Sequence, residues 1–330
     1  MKQQKERVII VTAKTRLQQL KKKFNTIAQT KFYLKNMGGD FEELEEEHLN
    51  LNRSVEKAQR ELRSIAKSKI ITKEYLPNYI FSDQDIVVVI GQDGLVANTA
   101  KYATDIPIIG VNPEPSRYDG ILLPFQINEV NHIVEKALQG NIQTKSVTMA
   151  EANLNNGQRL LAFNDLFIGP QTHRSARYNL TFKNKTESQS SSGIIVSTGA
   201  GSTGWLSSLI NMANGISNAF APKTRPTSFS KIKKSSFSIS ENEPHIQSQR
   251  LEWDTDKLMF IVREPFLSRT SKIGITVGTI SNKEKLSIES MMSEGGVIFS
   301  DGIENDFLSF NSGTIAHIGI AKERAELVIK

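Results

Sequence analysis

"VVVIGQDGLV", residues 87–96, decides the fold. A β-branched run stops at Gly91 and resumes beyond Gly94 as an apolar, helix-permissive stretch. That pattern is a buried strand passing into a helix N-terminus, the joint from which parallel α/β sheets are built. Free backbone N–H groups and the helix dipole make such a joint a cradle for phosphate. A carboxylate at Asp93 would repel one. Either Asp93 caps the helix that starts near Gly94, or it serves chemistry carried out beside a phosphate, and the stretch alone leaves both readings open.

On either side the first third of the chain alternates. "RVIIV" (7–11) is a buried strand, residues 15–36 are basic and helix-permissive, and "DFEELEEEHLNLNRSVEKAQRELRSIA" (40–66) is a long amphipathic helix or pair. A helix is expected from about 94 to 104, followed by the strand "IPIIGVN" (106–112). Strands separated by helices predict an α/β N-terminal domain over residues 1–142, a parallel sheet covered by helices. From about 145 the texture changes to short alternating runs divided by Gly, Asn and Ser, among them "RLLAFNDLFIG", "RYNLTFKN", "SGIIVST", "KLMFIVRE", "KIGITVGTI" and "KLSIESM". These predict an antiparallel sheet or sandwich in a β-rich domain over 143–305, with a long Ser/Lys-rich loop near 217–250. The segment 306–330, with "TIAHIGIAKERAELVIK", could return to the first domain or finish the second.

Composition bounds the function. The chain has 330 residues, 38% hydrophobic and 23% charged, enough for two cores in a soluble protein. Its apolar runs are strand-sized and "MKQQKER" leads straight into a strand, so neither a membrane span nor a signal peptide is expected. No cysteine is present, which excludes a disulfide scaffold, a thiolate zinc site and a cysteine nucleophile and fits a cytoplasmic location. The net charge of +6 is dispersed apart from "LKKK" (20–23) and "SKIKK" (230–234). A phosphorylated small molecule is therefore expected as partner, not nucleic acid.

A second glycine-rich stretch, "IIVSTGAGSTGWLSSLI" (194–210), satisfies G-x-G-x-x-G at Gly199, Gly201 and Gly204. A dinucleotide fingerprint would also want an acid about 20 residues on for the ribose, yet none lies between Glu187 and Glu241, and the stretch sits in the β-rich half. There is no P-loop signature, and the five histidines show no metal-ligand spacing, so no protein-borne metal site is expected. An Asn164–Asp165 pair interrupts the apolar run "AFNDLFIG" (162–169). Alone, it is an Asx turn or bulge as readily as a ligand-holding pair.

The order of these segments resembles the NAD kinases. Gly91-Gln92-Asp93-Gly94 is similar to their G-G-D-G motif, Asn164-Asp165 to their N-E/D pair, and Ser197 to Trp205 to their S-T-x-x-G-S-T-A-Y loop. "GVNPEPSRYDG", "SSGIIVSTGAGS" before a tryptophan, "REPFLSR" and the late "FSDG" resemble the mitochondrial-type branch, and with no transit segment in view the chain reads as a bacterial relative. The resemblance implies an α/β domain plus a β-sandwich with the active site between them, acting as a kinase of the 2′-hydroxyl of the adenosine ribose of NAD or NADH.

It further implies Asp93 as the base, and Gly91, Gln92, Gly94 and Lys101 at the donor phosphates. Asn164, Asp165, Arg174, Thr198, Gly201, Ser202, Thr203 and Trp205 are implied at NAD. Arg174 and Lys101 read equally as solvated surface residues, and Trp205 as core filler. ATP or polyphosphate would be the donor, Mg²⁺ would accompany ATP, and the protein would be a homodimer or higher homo-oligomer. The chain departs from the family pattern at Gln92, where a side chain replaces bare backbone, at Leu95 for threonine and at Asp165 for the commoner glutamate; Ser192 and Trp205 replace the bacterial type's aspartate and tyrosine. Two alternatives remain: a nucleotide-binding protein that lost turnover through Gln92, and a diacylglycerol- or sphingosine-type kinase, which shares the G-G-D-G loop alone.

Overall fold

The computed structural model of the chain describes residues 6–220 and 251–330. β1 (Arg7–Thr12) leads into three helices, α1 (Arg16–Phe24), α2 (Ile27–Asn36) and α3 (Phe41–Leu62). Each has a side-chain cap where the sequence supplies one: Thr15, Thr26 and Asp40 accept from backbone N–H groups of the first turns. β2 (Lys67–Thr72) and β3 (Asp85–Ile90) flank β1 in parallel, α4 (Asp93–Ala100) follows, and β4 (Pro107–Asn112) runs parallel beside β3. A two-residue β5 (Phe125–Gln126) pairs with β4 before α5 (Val130–Leu138).

Every residue of β3 is buried, which explains its unbroken apolar run. Ile86, Val88 and Ile90 pack with Ala58 and Leu62 of α3 and Val130 and Val134 of α5, whereas Val87 and Val89 face Val96, Ala97 and Ala100 of α4. The sheet is thus covered on both faces. α4 stops at Ala100, short of the expected 104, because the chain turns through a left-handed Asp105 before the proline that opens β4.

The second half builds β6 (Thr144–Leu154), β7 (Arg159–Ala162), β8 (Asp165–Pro170), β9 (Ala176–Phe182), β10 (Lys185–Ser191) and β11 (Ile194–Ser197), then α6 (Trp205–Phe220). β12 (Leu258–Val262), β13 (Val277–Ile280), β14 (Leu286–Ser290), β15 (Gly296–Ser300), β16 (Ile303–Ser309) and β17 (Ile315–Val328) follow. Residues 217–220 of the expected loop are the end of α6, and 221–250 lie outside the described residues.

Among the described residues two sheets form. One has eleven strands in the order β10-β9-β14-β17-β4-β3-β1-β2, with β5 beside β4, β6 paired to β17 and β7 to β6; the other is a six-stranded antiparallel sheet, β13-β12-β11-β8-β15-β16. Tyr178, Leu180, Ile288 and Ile318 of the first face Leu166, Ile168, Val196, Phe260 and Ile298 of the second, so the C-terminal half is a sandwich. β17 runs antiparallel to β14 and β6 and parallel to β4, making the parallel and antiparallel halves one continuous sheet. No helix among the described residues is long and apolar enough to cross a membrane.

Candidate active site

Asp93 is the first residue of α4, not its cap; the cap position is Gln92, extended at φ −112° and exposed, with no side-chain capping bond. The carboxylate turns to another segment, where Oδ1 accepts the Leu122 N–H at 2.7 Å. Gly110 lets that segment come close: a Cβ there would stand 2.0 Å from the Leu122 carbonyl oxygen. A Cβ at Gly94 would meet nothing within 4 Å, so this turn opens onto free space. Gly91 is closed by comparison, with Leu95 Cδ2 2.9 Å from where its Cβ would be.

The Asn164–Asp165 pair is built by a residue of another hairpin. Between β7 and β8 three successive amides, of Phe163, Asn164 and Asp165, donate to the Asp301 carboxylate at 3.0, 2.6 and 3.2 Å. The Asp301 N–H returns a bond to the Asp165 carbonyl at 2.9 Å. The glycine-rich loop closes on the same spot. Thr198 donates its N–H to the Asn164 carbonyl at 2.9 Å and its hydroxyl to the Phe163 carbonyl at 2.6 Å, and Gly201 donates to Thr198 Oγ1 at 3.2 Å.

Of the loop residues implied at NAD, Thr198, Gly201 and Ser202 are buried in the loop's own frame. Ser202 Oγ donates to the Gly199 carbonyl at 2.7 Å, and a Cβ at Gly201 would collide with the Asn164 carbonyl oxygen, 2.3 Å away. Thr203 is exposed. Trp205 is half-buried, stacked on Phe167 with ring centroids 5.9 Å apart and the Arg263 guanidinium 5.4 Å from its ring. Both rings line an open cavity of about 520 Å³ with Ser192, Arg174 and Glu264. Arg174 is tied at 2.7 Å to Glu294, both side chains 72% exposed.

Lys101 is neither on the surface nor free. Its side chain is 2% exposed, its ammonium donates to Ser300 Oγ at 2.8 Å, and Asp306 lies 4.0 Å away. Burial holds its pKa below the ordinary lysine value, against the pull of Asp301 and Asp306. Asp301 is raised by its own burial, countered by Lys101 and the three amides. Asp165 is pushed up to about 7, chiefly by burial and further by Asp301, with the Ser197 hydroxyl opposing. Its Oδ1 is buried without a hydrogen-bond partner.

Leu95 and Val96 of α4, Phe163 and Ala200 share one apolar cluster, so the three motifs meet through the core. Among the described residues no group of three or more His, Asp or Glu could hold a metal ion. Sequence reasoning missed Asp301 as the acceptor that shapes the pair, although its Asp-Gly dipeptide is a hairpin signal. It also missed Gly110 and the Leu122 amide.

No protein-family model matches the chain. Curated relatives do match part of it. The NAD kinase of Clostridium kluyveri is 30% identical over 132 residues, 38% of this chain and 45% of the relative. That of Thermoanaerobacter sp. strain X514 is 29% identical over 154 residues, 44% of this chain and 53% of the relative. The chain thus spans about half the length of the curated relatives it matches. Two solved structures share the fold over nearly all of it. A yeast NADH kinase complexed with NADH aligns over 99% of this chain and 84% of its own, at 13% identity and a TM-score of 0.57. An NAD kinase from Archaeoglobus fulgidus in complex with ATP aligns over 98% and 93%, at 14% identity and a TM-score of 0.53. The chain is thus similar in sequence to NAD kinases over part of its length and shares the fold of the NADH kinase and NAD kinase structures over nearly all of it.

Proposed function

We propose that this protein transfers the terminal phosphoryl group of ATP to the 2′-hydroxyl of the adenosine ribose of NAD or NADH. The observation that carries the reading is the Asp93 carboxylate at an open helix N-terminus, one oxygen anchored by the Leu122 amide. The other oxygen accepts the ribose hydroxyl, aims it and takes its proton as the bond to phosphorus forms and the anhydride bond between the β- and γ-phosphates breaks, releasing ADP. The open Gly94 admits donor phosphates to the backbone amides of the turn, and Gly91, closed by Leu95, shapes it. Asn164 and Asp165 hold the ribose hydroxyls, Asp165 through its unpartnered Oδ1. Thr203 and the Trp205 ring flank the adenine side, and Arg174 is available at the rim if it releases Glu294.

A magnesium ion arriving on ATP would be held by the donor phosphates, water and one or two protein carboxylates, here Asp93. When bound, it neutralises charge on the donor phosphates. Polyphosphate is the competing donor. We take the protein to act as a homodimer or higher homo-oligomer in a cytoplasmic setting that supplies both nucleotides. The test is mass-spectrometric detection of NADP(H) after mixing the protein with NAD or NADH, ATP and Mg²⁺. Dinucleotide binding without any phosphorylated product overturns the reading.

Two variants probe the donor turn. Gln92→Gly should lower the KM for ATP, because it clears an exposed side chain from the mouth of the cradle, and the extended backbone there tolerates any residue. An unchanged KM would place the Gln92 amide away from the phosphates. Gly110→Ala should push Leu122 off β4 and misaim Asp93, costing about 10²-fold in kcat with dinucleotide affinity retained. Wild-type kcat in a folded Gly110→Ala protein would show that the Leu122 bond is dispensable.

A further inference from the structure

Asp301 is one of two residues in the tight turn between β15 and β16. Ser300 pairs with Ile303, and Asp301 and Gly302 both adopt left-handed conformations, at φ 54° and 69°. An Asp-Gly turn of this kind needs only the backbone of its aspartate. Here the side chain is engaged as well. Its two oxygens take the three successive amides of residues 163–165 at the step from β7 to β8. The adjacent residue, Ser300, takes the ammonium of Lys101, and Lys101 directly follows α4, the helix that begins at Asp93. Residues 300 and 301 therefore connect the far end of the Asp93 helix to the Asn164–Asp165 pair, with helix, lysine and hairpin all buried or braced by the core.

We propose that Asp301, with Lys101 as its counter-charge, is a positioning residue that fixes the Asn164–Asp165 pair relative to Asp93. This rests on the phosphoryl-transfer reading above. A ribose held by the pair meets the base only if the two segments, 71 and 72 residues apart in sequence, keep a fixed separation. Beside the apolar cluster that both segments share, a polar route joins them: α4, Lys101, Ser300 and Asp301. The charge on Asp301 sharpens the clamp, since a carboxylate can accept all three amides, whereas an asparagine amide would turn an NH₂ toward one of them. Burial raises the cost of either charge without the other, so Lys101 and Asp301 act as a unit.

Asp301→Asn is the informative variant, because asparagine tolerates the left-handed turn and the hairpin survives. Three measurements are made on the full chain: amide hydrogen exchange, calorimetric titration with NAD and with ATP, and thermal melting. The expected result is faster exchange at Phe163, Asn164 and Asp165, with the rest of β8 and β15 unchanged. NAD affinity should fall about tenfold while ATP affinity stays within about twofold. Asp301→Asn leaves the buried Lys101 ammonium with Asp306 alone, and combining it with Lys101→Met removes that weakly compensated charge, so melting temperature should recover toward wild type and NAD affinity should not. Recovery of both would mean that only charge balance mattered and would overturn the proposal. So would unchanged exchange at the three amides, or equal losses for NAD and ATP. A wild-type protein that binds no NAD would instead overturn the functional reading, and the exchange result alone would then decide whether Asp301 is the clamp.

Discussion

Asp93→Asn is expected to cut turnover by about 10²–10⁴-fold, the range that general-base help supplies, with NAD and ATP binding and the melting temperature nearly unchanged. The structure makes the variant clean. Asp93 does not cap α4, so no cap is lost, and an asparagine Oδ1 can still accept the Leu122 N–H. Only the proton-accepting oxygen is replaced, by an amide that cannot take a proton. Steady-state kinetics beside calorimetric binding make the test, and activity within about tenfold of wild type would remove Asp93 from the chemistry.

The second large effect is expected at Asp165. Asp165→Ala should weaken NAD by about ten- to a hundredfold, the worth of a charge-assisted acceptor, and leave ATP largely unaffected. Its raised pKa adds a pH signature. The ionised carboxylate is the form that accepts two hydroxyls, so NAD should bind more tightly as pH rises from 6 to 8, through the value near 7. Asp165→Asn should flatten that dependence. Stability runs in the opposite direction. The unfolded chain releases this proton near the ordinary carboxylate value and the folded chain holds it to about 7. The wild type therefore loses stability as pH rises between those two values and regains none above. Asp165→Asn should accordingly match wild type near pH 4 and melt higher at pH 8 while binding NAD worse. A variant that melts lower at pH 8, or that loses NAD and ATP equally, would make Asp165 a structural residue.

The parallel half of the fold was legible because burial on both faces leaves an unmistakable run such as residues 86–90. β2, "KSKIIT", was not, since an edge strand with one buried residue needs little apolar content. β10, "KTESQSS", carries no apolar residue at all: its buried positions are Gln189 and Ser191, satisfied by the Tyr178 hydroxyl. The site divides in the same way. Glycine spacing and the Asn-Asp pair are local signals and can be seen in one dimension. The bonds that organise them span 29 residues from Asp93 to Leu122 and 136–137 from the pair to Asp301. Lys101 looked solvated because its partner is 199 residues away.

β17 has a consequence for how the chain is made. It supplies Ile318 to the sandwich core, Leu327 to the α4 side of the parallel sheet and Val328 to the α3 side, and it is synthesised after every other described strand. Until it emerges from the ribosome, β4 keeps an open parallel edge in the middle of what will be the largest sheet, and β6 and β14 lack the strand that each pairs with. Neither half can therefore complete its core before β17 has emerged. Until then the nascent chain carries an unpaired edge, the condition under which strands pair with the wrong neighbour. The completion of that edge by one strand is what turns two half-built layers into a single cooperative unit.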